Sequence, residues 1–289
     1  MRIALATSSD LPDLTPDDRT LLRPLSDRSI KAEPAVWTDP NYPWQDYDAI
    51  VIRSCWDYHL RSEDFLRWIA SLKSPVWNPP ETIRWNADKS YLRSLEDKGI
   101  PIVPTLWCEA GKTQSLADAL RATGWAHAVV KPRISATAHR TQLVDTINAH
   151  TSQELFDELL AGPGVMVQKF MEDILNEGEW SLMFFGGKFS HAVVKTPQPG
   201  DFRVQSDFGG KSRLADPPAF MIEHAIRAVQ AVAPTLYARV DGVVDHQSQF
   251  RIMELELIEP ALFLSSHPAA PERFADAIAN ALRSHAPLL

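Results

Sequence analysis

Cysteine is nearly absent from the 289 residues: only Cys55 and Cys108 occur. They match no metal-ligand spacing and cannot build a disulfide framework, so a reducing cytoplasm is the expected home and Cys55 is expected to be an ordinary core residue. No apolar run approaches the roughly 18 residues that would span a bilayer. The opening stretch Met1 to Thr7 lacks the apolar core and small-residue cleavage site of a secretory signal and is expected to be a first β-strand. Positive charge is in deficit, with 29 Lys and Arg against 37 Asp and Glu and a formal net charge of −8. That balance argues against a nucleic-acid or anionic-membrane partner, both of which need a basic face. Neither GxxxxGK[ST] nor GxGxxG occurs, which disfavours P-loop and dinucleotide chemistry. Histidine-containing metal clusters of the kind many hydrolases use are missing too.

What the chain does have is apolar content of 45%, enough for one large core or two smaller ones sharing a cleft. Arg2 to Thr7 and Asp48 to Arg53 have strand character, and a helix is expected from Ser62 to Leu72 with Phe65, Leu66, Trp68 and Ile69 as its stripe. This βα alternation implies a parallel sheet, whose ligands gather at the carboxyl ends of strands. Arg53, Ser54 and Asp57 stand at such an end, where they are either site residues or a solvated loop with an Arg–Asp pair. A new unit is expected near Asn86, as the cap of a helix carrying Lys89, Tyr91, Leu92 and Leu95. A strand from Ala128 to Lys131 and another from Val165 to Phe170 follow. Gly186-Gly187 between two apolar runs signals a tight hairpin, and the last third is expected to be antiparallel.

The segment Arg251 to Leu257 alternates so that Glu254 and Glu256 share one face. If it pairs with Tyr237 to Gly242 through a turn near Gln247-Ser248, Asp241 faces Glu254 and Arg239 faces Glu256. Three carboxylates then converge on one patch of sheet. Such crowding is relieved by a cation between them, and oxygen-only ligands favour Mg²⁺ or Mn²⁺ over zinc. The patch could also be a solvated face neutralised by Arg239. Lys131 ends an apolar strand and Lys89 opens an earlier helix. Two lysines upstream of an acidic patch suit nucleotide phosphates, with Mg²⁺ bridging the β- and γ-oxygens.

This order of features resembles the ATP-grasp superfamily over nearly the whole chain. The resemblance implies an ATP-grasp fold, α/β plus α+β, with an N-terminal parallel-sheet domain. The expected units are 1–86, a substrate domain; 87–170, a small lid subdomain; and 171–289, a C-terminal subdomain with the metal site. Lys89 and Lys131 are similar to the two nucleotide lysines, Gln168-Lys169-Phe170 to the hinge that meets adenine, and Asp173 to the acid that binds ribose. Asp241, Glu254 and Glu256 are similar to the magnesium ligands, with Glu256 where asparagine is common. Arg203, ahead of Phe208-Gly209-Gly210, is similar to the arginine that faces the transferred phosphoryl group and the substrate carboxylate. The flap after Lys131, Arg133 to Ala138, has no glycine, which limits its backbone freedom.

Three segments, Ile52 to Tyr58, Asn86 to Leu92 and Met253 to Pro260, are most like the branch of O-ureido-serine cyclo-ligases. The resemblance implies ATP and Mg²⁺, a small amino-acid-like substrate, an acyl phosphate intermediate captured by an amine-like nitrogen, and often a homodimer. Lys131 and Arg203 would stabilise the transferring group, while Arg53, Ser54 and Asp57 with Arg203 would bind the amino-acid end. An intermolecular carboxylate–amine ligase and a non-catalytic nucleotide-binding module are the alternatives.

Overall fold

The computed structural model describes residues 1–285 except 113, 137 and 233. Three sheets organise the chain. The first, of strands β1 (Arg2–Thr7), β2 (Lys31–Val36), β3 (Ala49–Ile52) and β4 (Val76–Trp77), is wholly parallel with order β2-β1-β3-β4. Its two central strands are apolar along almost their whole length, because helices cover both faces of such a sheet. β2 escapes a reading by periodicity because Pro34 interrupts a half-buried sequence, which an edge strand tolerates.

The second sheet contains β5 (Thr105–Cys108), β6 (His127–Pro132), β7 (Gln142–Asp145) and β8 (Val165–Lys169), antiparallel in the order β5-β8-β6-β7. It has a core of its own, with Leu116, Leu120, Phe156 and Leu160 packing on Val130, Val144 and Val167. The third sheet contains β9 (Glu179–Phe185), β10 (Lys188–Thr196), β11 (Lys211–Leu214), β12 (Tyr237–Val244) and β13 (Phe250–Glu256), antiparallel in the order β11-β10-β9-β12-β13. Gly186 and Gly187, at φ +54° and +75°, make the tight turn between β9 and β10.

The closing helix Ala270–His285 lies between the first and third sheets, where Phe274 and Ile278 join Ile3, Leu5 and Val51 to Phe185 and Tyr237. On the opposite face of the third sheet, the helices Tyr91–Asp97 and Ala219–Gln230 bury Leu92, Leu95, Ala225 and Val229. The segment around 91–102 thus shares the core of the third sheet, a cluster that Met166 of β8 also joins. Asn86 does not cap a helix. It ends the helix Pro80–Asn86, and its amide exchanges hydrogen bonds with the Leu255 carbonyl (2.7 Å) and the Leu257 amide (2.8 Å).

Beyond β13 the chain crosses between the sheets as a strap whose carbonyls are each held by a buried side chain. Asn78 donates to Leu257 (2.8 Å), the Tyr237 hydroxyl to Ile258 (2.8 Å), Trp56 Nε1 to Glu259 (3.1 Å), Arg53 Nη2 to Pro260 (2.9 Å) and Arg239 Nη1 to Ala261 (3.1 Å). His191 Nε2 lies 3.0 Å from the Leu262 carbonyl, so its neutral Nε2–H tautomer is the donor there. These bonds satisfy a buried, irregular backbone that has no ladder to join.

Arg53 is therefore an anchor of the fold and not a substrate ligand. It is 1% exposed, its Nε donates to Asp18 at 2.9 Å, and its guanidinium lies over the Tyr237 and Phe274 rings. Removing one partner of such a buried pair leaves an uncompensated charge. Arg53→Met is expected to lose about 3–5 kcal/mol of stability in urea unfolding. Combining it with Asp18→Asn should recover part of the loss, whereas a single variant as stable as wild type would contradict this assignment.

Burial holds the His191 imidazole down at about 4 despite its two carbonyl partners. The unfolded chain therefore binds the extra proton first, at an ordinary value near 6.5. Stability should fall on acidification between about pH 6.5 and 4, by up to about 3 kcal/mol from this group. Urea unfolding across that window should show a shallower decline in His191→Gln than in wild type.

Candidate active site

A cleft of about 310 Å³ opens between the second and third sheets, lined from β6 and β8 on one side and from β9, β10, β12 and β13 on the other. Its apolar end is formed by Val129, Phe170, Met171, Ile174, Val204 and Met253. Its polar floor brings the carboxylates of Glu179, Asp241, Glu254, Glu256 and Glu259 against the cations of Lys89, Lys131, Lys195 and Arg239.

The hairpin β12–β13 has the pairing that alternation predicts: Asp241 faces Glu254 and Arg239 faces Glu256. A bulge follows at once, between Asp241 and Gly242. A Cβ at residue 242 would come within 2.6 Å of the Arg251 carbonyl and the Phe250 ring, so only glycine fits beside the acidic pair. Asp241 is fully committed, accepting from Arg239 Nη2 at 2.9 Å, from Lys195 at 3.3 Å and from the Ser181 hydroxyl. Burial works against its charge, but Arg239 and Lys195 outweigh that and hold the carboxyl at about 2. Glu254 pairs with Lys89 at 3.0 Å, and Glu256 pairs with Arg239. Burial, with Glu254 and Asp241 adding to it against Arg239, pushes Glu256 up to about 7.

Among the described residues, no three His, Cys, Asp or Glu side chains stand in a metal-holding arrangement. The predicted ligands do converge, but salt bridges hold them in this conformation, Asp241 most tightly. The residues nonetheless suit a hard cation. Glu254 and Glu256 lie on the cleft wall as oxygen donors two residues apart on one face. Burial first, and then the Glu254 and Asp241 charges, raise the Glu256 carboxyl, and a cation beside it would work against both.

Lys89 and Lys131 both line the cleft. Lys89 Nζ also donates to the Ser135 carbonyl, tying the flap to the floor. Lys131 Nζ donates to Gln168 Oε1 at 3.0 Å, and burial together with the Lys89 charge lowers its pKa against the pull of Glu254. In the hinge, the amides of Lys169 and Phe170 donate to the Pro104 (2.8 Å) and His127 (3.1 Å) carbonyls. They are thus unavailable to a base edge, and Gln168 contributes its side chain. Ala138 and Arg140 take φ of +54° and +53°, so the glycine-free flap adopts left-handed conformations at a local cost. Residue 137 of that segment lies outside the described residues.

Arg203 lines the cleft but folds back onto Asp201 in a bidentate pair (3.0 and 2.8 Å), its guanidinium 3.6 Å over the Phe208 ring. Four predicted residues do not reach the cleft. Arg53 is the strap anchor, and Ser54 is fully buried against Thr7 Oγ1 at 3.1 Å. Asp57 accepts from Trp37 Nε1 at 2.8 Å, and Asp173 stands on a short helix, Asp173–Asn176, outside the cleft wall. Glu179 and Lys195 are inside it without a role assigned by sequence, and Arg239, read there as a possible neutraliser of the acidic patch, pairs with Asp241 and Glu256. Glu179 lies six residues past Asp173 at the start of β9 and pairs with Lys195 at 2.5 Å.

A family model for the N-terminal domain of D-cycloserine synthetase DcsG matches residues 3–78. The cycloserine biosynthesis protein DcsG of Streptomyces lavendulae is 29% identical over 97% of this chain and 96% of its own length. A crystal structure of D-cycloserine synthetase DcsG superimposes with a TM-score of 0.88, covering 98% of this chain and all of that one at 29% identity. The D-alanine–D-alanine ligase of Bacillus anthracis complexed with ATP, at 18% identity, shares the fold with a TM-score of 0.70 over 98% of both chains. No described helix is long and apolar enough to cross a membrane. The chain has the ATP-grasp fold and is an ATP-dependent ligase, similar along nearly its whole length to the cycloserine synthetase DcsG.

Proposed function

We propose that this ligase activates the carboxylate of O-ureido-serine with ATP and closes it to the cycloserine ring. The observation that carries the reading is the cleft itself, where two lysines and an acidic hairpin meet beside an apolar slot, in a chain similar to DcsG from end to end. Adenine would occupy the slot bounded by Val129, Met171, Ile174 and Met253, and Glu179 rather than Asp173 would meet the ribose. Lys89 and Lys131 would neutralise the phosphates. Glu254 and Glu256, with Asp241 behind them, would hold Mg²⁺, which would supply positive charge to the phosphates. Mn²⁺ is expected to substitute for it.

The substrate carboxylate attacks the γ-phosphorus, forming an acyl phosphate and releasing ADP. Lys131 and Arg239, fixed by Gln168 and Asp241, would present positive charge to the transferring group without reorganising. Arg203 is a further candidate once it leaves Asp201. The oxygen-linked nitrogen of the same molecule then attacks the acyl carbon, the new C–N bond closes the ring, and inorganic phosphate leaves with the acyl–oxygen electron pair. Tethering nitrogen and carbon supplies much of the advantage. Hydrolysis of the carbamoyl group then consumes one water, returns a proton to the ring nitrogen and releases carbamate, which breaks down to carbon dioxide and ammonia. The buried Cys55 thiol, pushed well up by burial, takes no part.

ADP release is expected to require Mg²⁺ or Mn²⁺ and O-ureido-serine, with no second amine. A strict need for an added amine would favour an intermolecular ligase. Glu254→Gln should lower kcat by about 100-fold or more, whereas unchanged turnover would refute the metal assignment.

Nucleotide titrations separate the two ribose candidates. Glu179→Gln should weaken ATP binding by about tenfold or more, the worth of a charge-assisted hydrogen bond, while Asp173→Asn stays near wild type. The opposite ranking would restore Asp173.

A further inference from the structure

Each buried carboxylate of the cleft has a cation against it except one. Glu179 has Lys195, Asp241 has Arg239 and Lys195, Glu254 has Lys89, and Glu256 has Arg239. Glu259 lines the same cleft, is only 8% exposed, and receives no hydrogen bond or ion pair from another side chain among the described residues. Burial, with the Glu256 and Glu254 charges adding to it, pushes its carboxyl well up against the pull of Lys89 and of its own backbone amide, so ionisation there waits on a cation set against it. Lys89, whose charge reaches it, is already paired with Glu254 and the Ser135 carbonyl. A carboxylate left this way is costly unless a ligand supplies the missing charge.

Its position is fixed. Glu259 sits on the strap, its own carbonyl held by Trp56 Nε1 and the next one by Arg53. Trp56, Ala261 and Phe263 line both the main cleft and an adjoining cavity bounded by Thr15, Pro16 and Ser265. Glu259 therefore stands where the main cleft borders the N-terminal part of the chain.

We infer that the Glu259 carboxylate is the anchor for the α-ammonium of an amino-acid substrate, placed on the cleft wall by the Trp56–Arg53 grip on the strap. This rests on the reading of the cleft as an amino-acid-activating site, and it names the group that selects α-amino acids over plain carboxylic acids. An ammonium at Glu259 completes the charge balance of the cleft and orients the α-carbon so that the substrate carboxylate points towards the lysine–carboxylate floor. The wild-type chain is then a poor binder of the same acid without its amine.

Isothermal titration of D-serine, L-serine and 3-hydroxypropanoate, with and without Mg·ADP, tests this in full-length wild type, Glu259→Gln and Glu259→Asp. One serine enantiomer should bind wild type at least about tenfold more tightly than 3-hydroxypropanoate, the worth of one charge-assisted bond. Glu259→Gln should erase that preference while leaving Mg·ADP and 3-hydroxypropanoate affinities within about twofold, and Glu259→Asp should restore part of it. If Glu259→Gln does not fold, the Asp variant and the wild-type amine preference decide. Equal binding of serine and 3-hydroxypropanoate by wild type, absence of serine binding, or an undiminished preference in Glu259→Gln overturns the assignment. Failure of Mg·ADP to bind wild type would strike the nucleotide reading instead, and the nucleotide-free serine comparison stands apart from it.

Discussion

The cleft is organised by mutual compensation of buried charge. Asp241 stays ionised in the interior only because Arg239, Lys195 and Ser181 converge on it. Those contacts tie together β9, β10 and β12, which carry Ser181, Lys195 and Arg239. Lys89 reaches Glu254 from outside the third sheet and grips the flap through Ser135, so one ammonium links the acidic hairpin to the segment that covers it. In a low-dielectric cleft such pairs are costly to break singly, which makes the site a preorganised unit. It also makes the site sensitive to added charge. Burial and neighbouring acids already hold Glu256 near neutrality, and an incoming cation shared with Glu254 relieves that crowding.

The strap from Leu257 to Phe263 connects this charge network to the rest of the molecule. Its carbonyls take hydrogen bonds from Trp56, Arg53, Asn78 and Tyr237, residues drawn from the parallel-sheet region and from β12. Arg53 and Trp56 thus influence the site through the backbone they hold. Ile52 to Tyr58 and Met253 to Pro260 are thus the two sides of one contact.

Sequence alternation was enough to find the acidic hairpin, because Asp241–Glu254 and Arg239–Glu256 pair before the bulge at Gly242 shifts the register. It was not enough for Glu179 and Lys195. The Gly186-Gly187 turn alone sets Glu179 opposite Val194, and a bulge between Phe189 and His191 moves Lys195 into that place. One inserted residue, with no compositional mark, decides which side chain meets Glu179. Strand-end polarity suggested Arg53, Ser54 and Asp57 as ligands, yet polar residues at strand ends also anchor irregular backbone, and the strap lies over two hundred positions away in sequence. The short edge strands β2, β7 and β11 were missed because pairing on one side, and not a periodic apolar face, defines them.

In the proposed mechanism ATP is spent on the substrate carboxylate and not on water. Turnover of O-ureido-serine carrying ¹⁸O in its carboxylate, with the released phosphate read by mass spectrometry, addresses this directly. One labelled oxygen per phosphate is the predicted result, because the acyl phosphate leaves with the carboxylate oxygen. ADP formation accompanied by unlabelled phosphate would mean that the γ-phosphoryl group passes elsewhere, and would contradict the account.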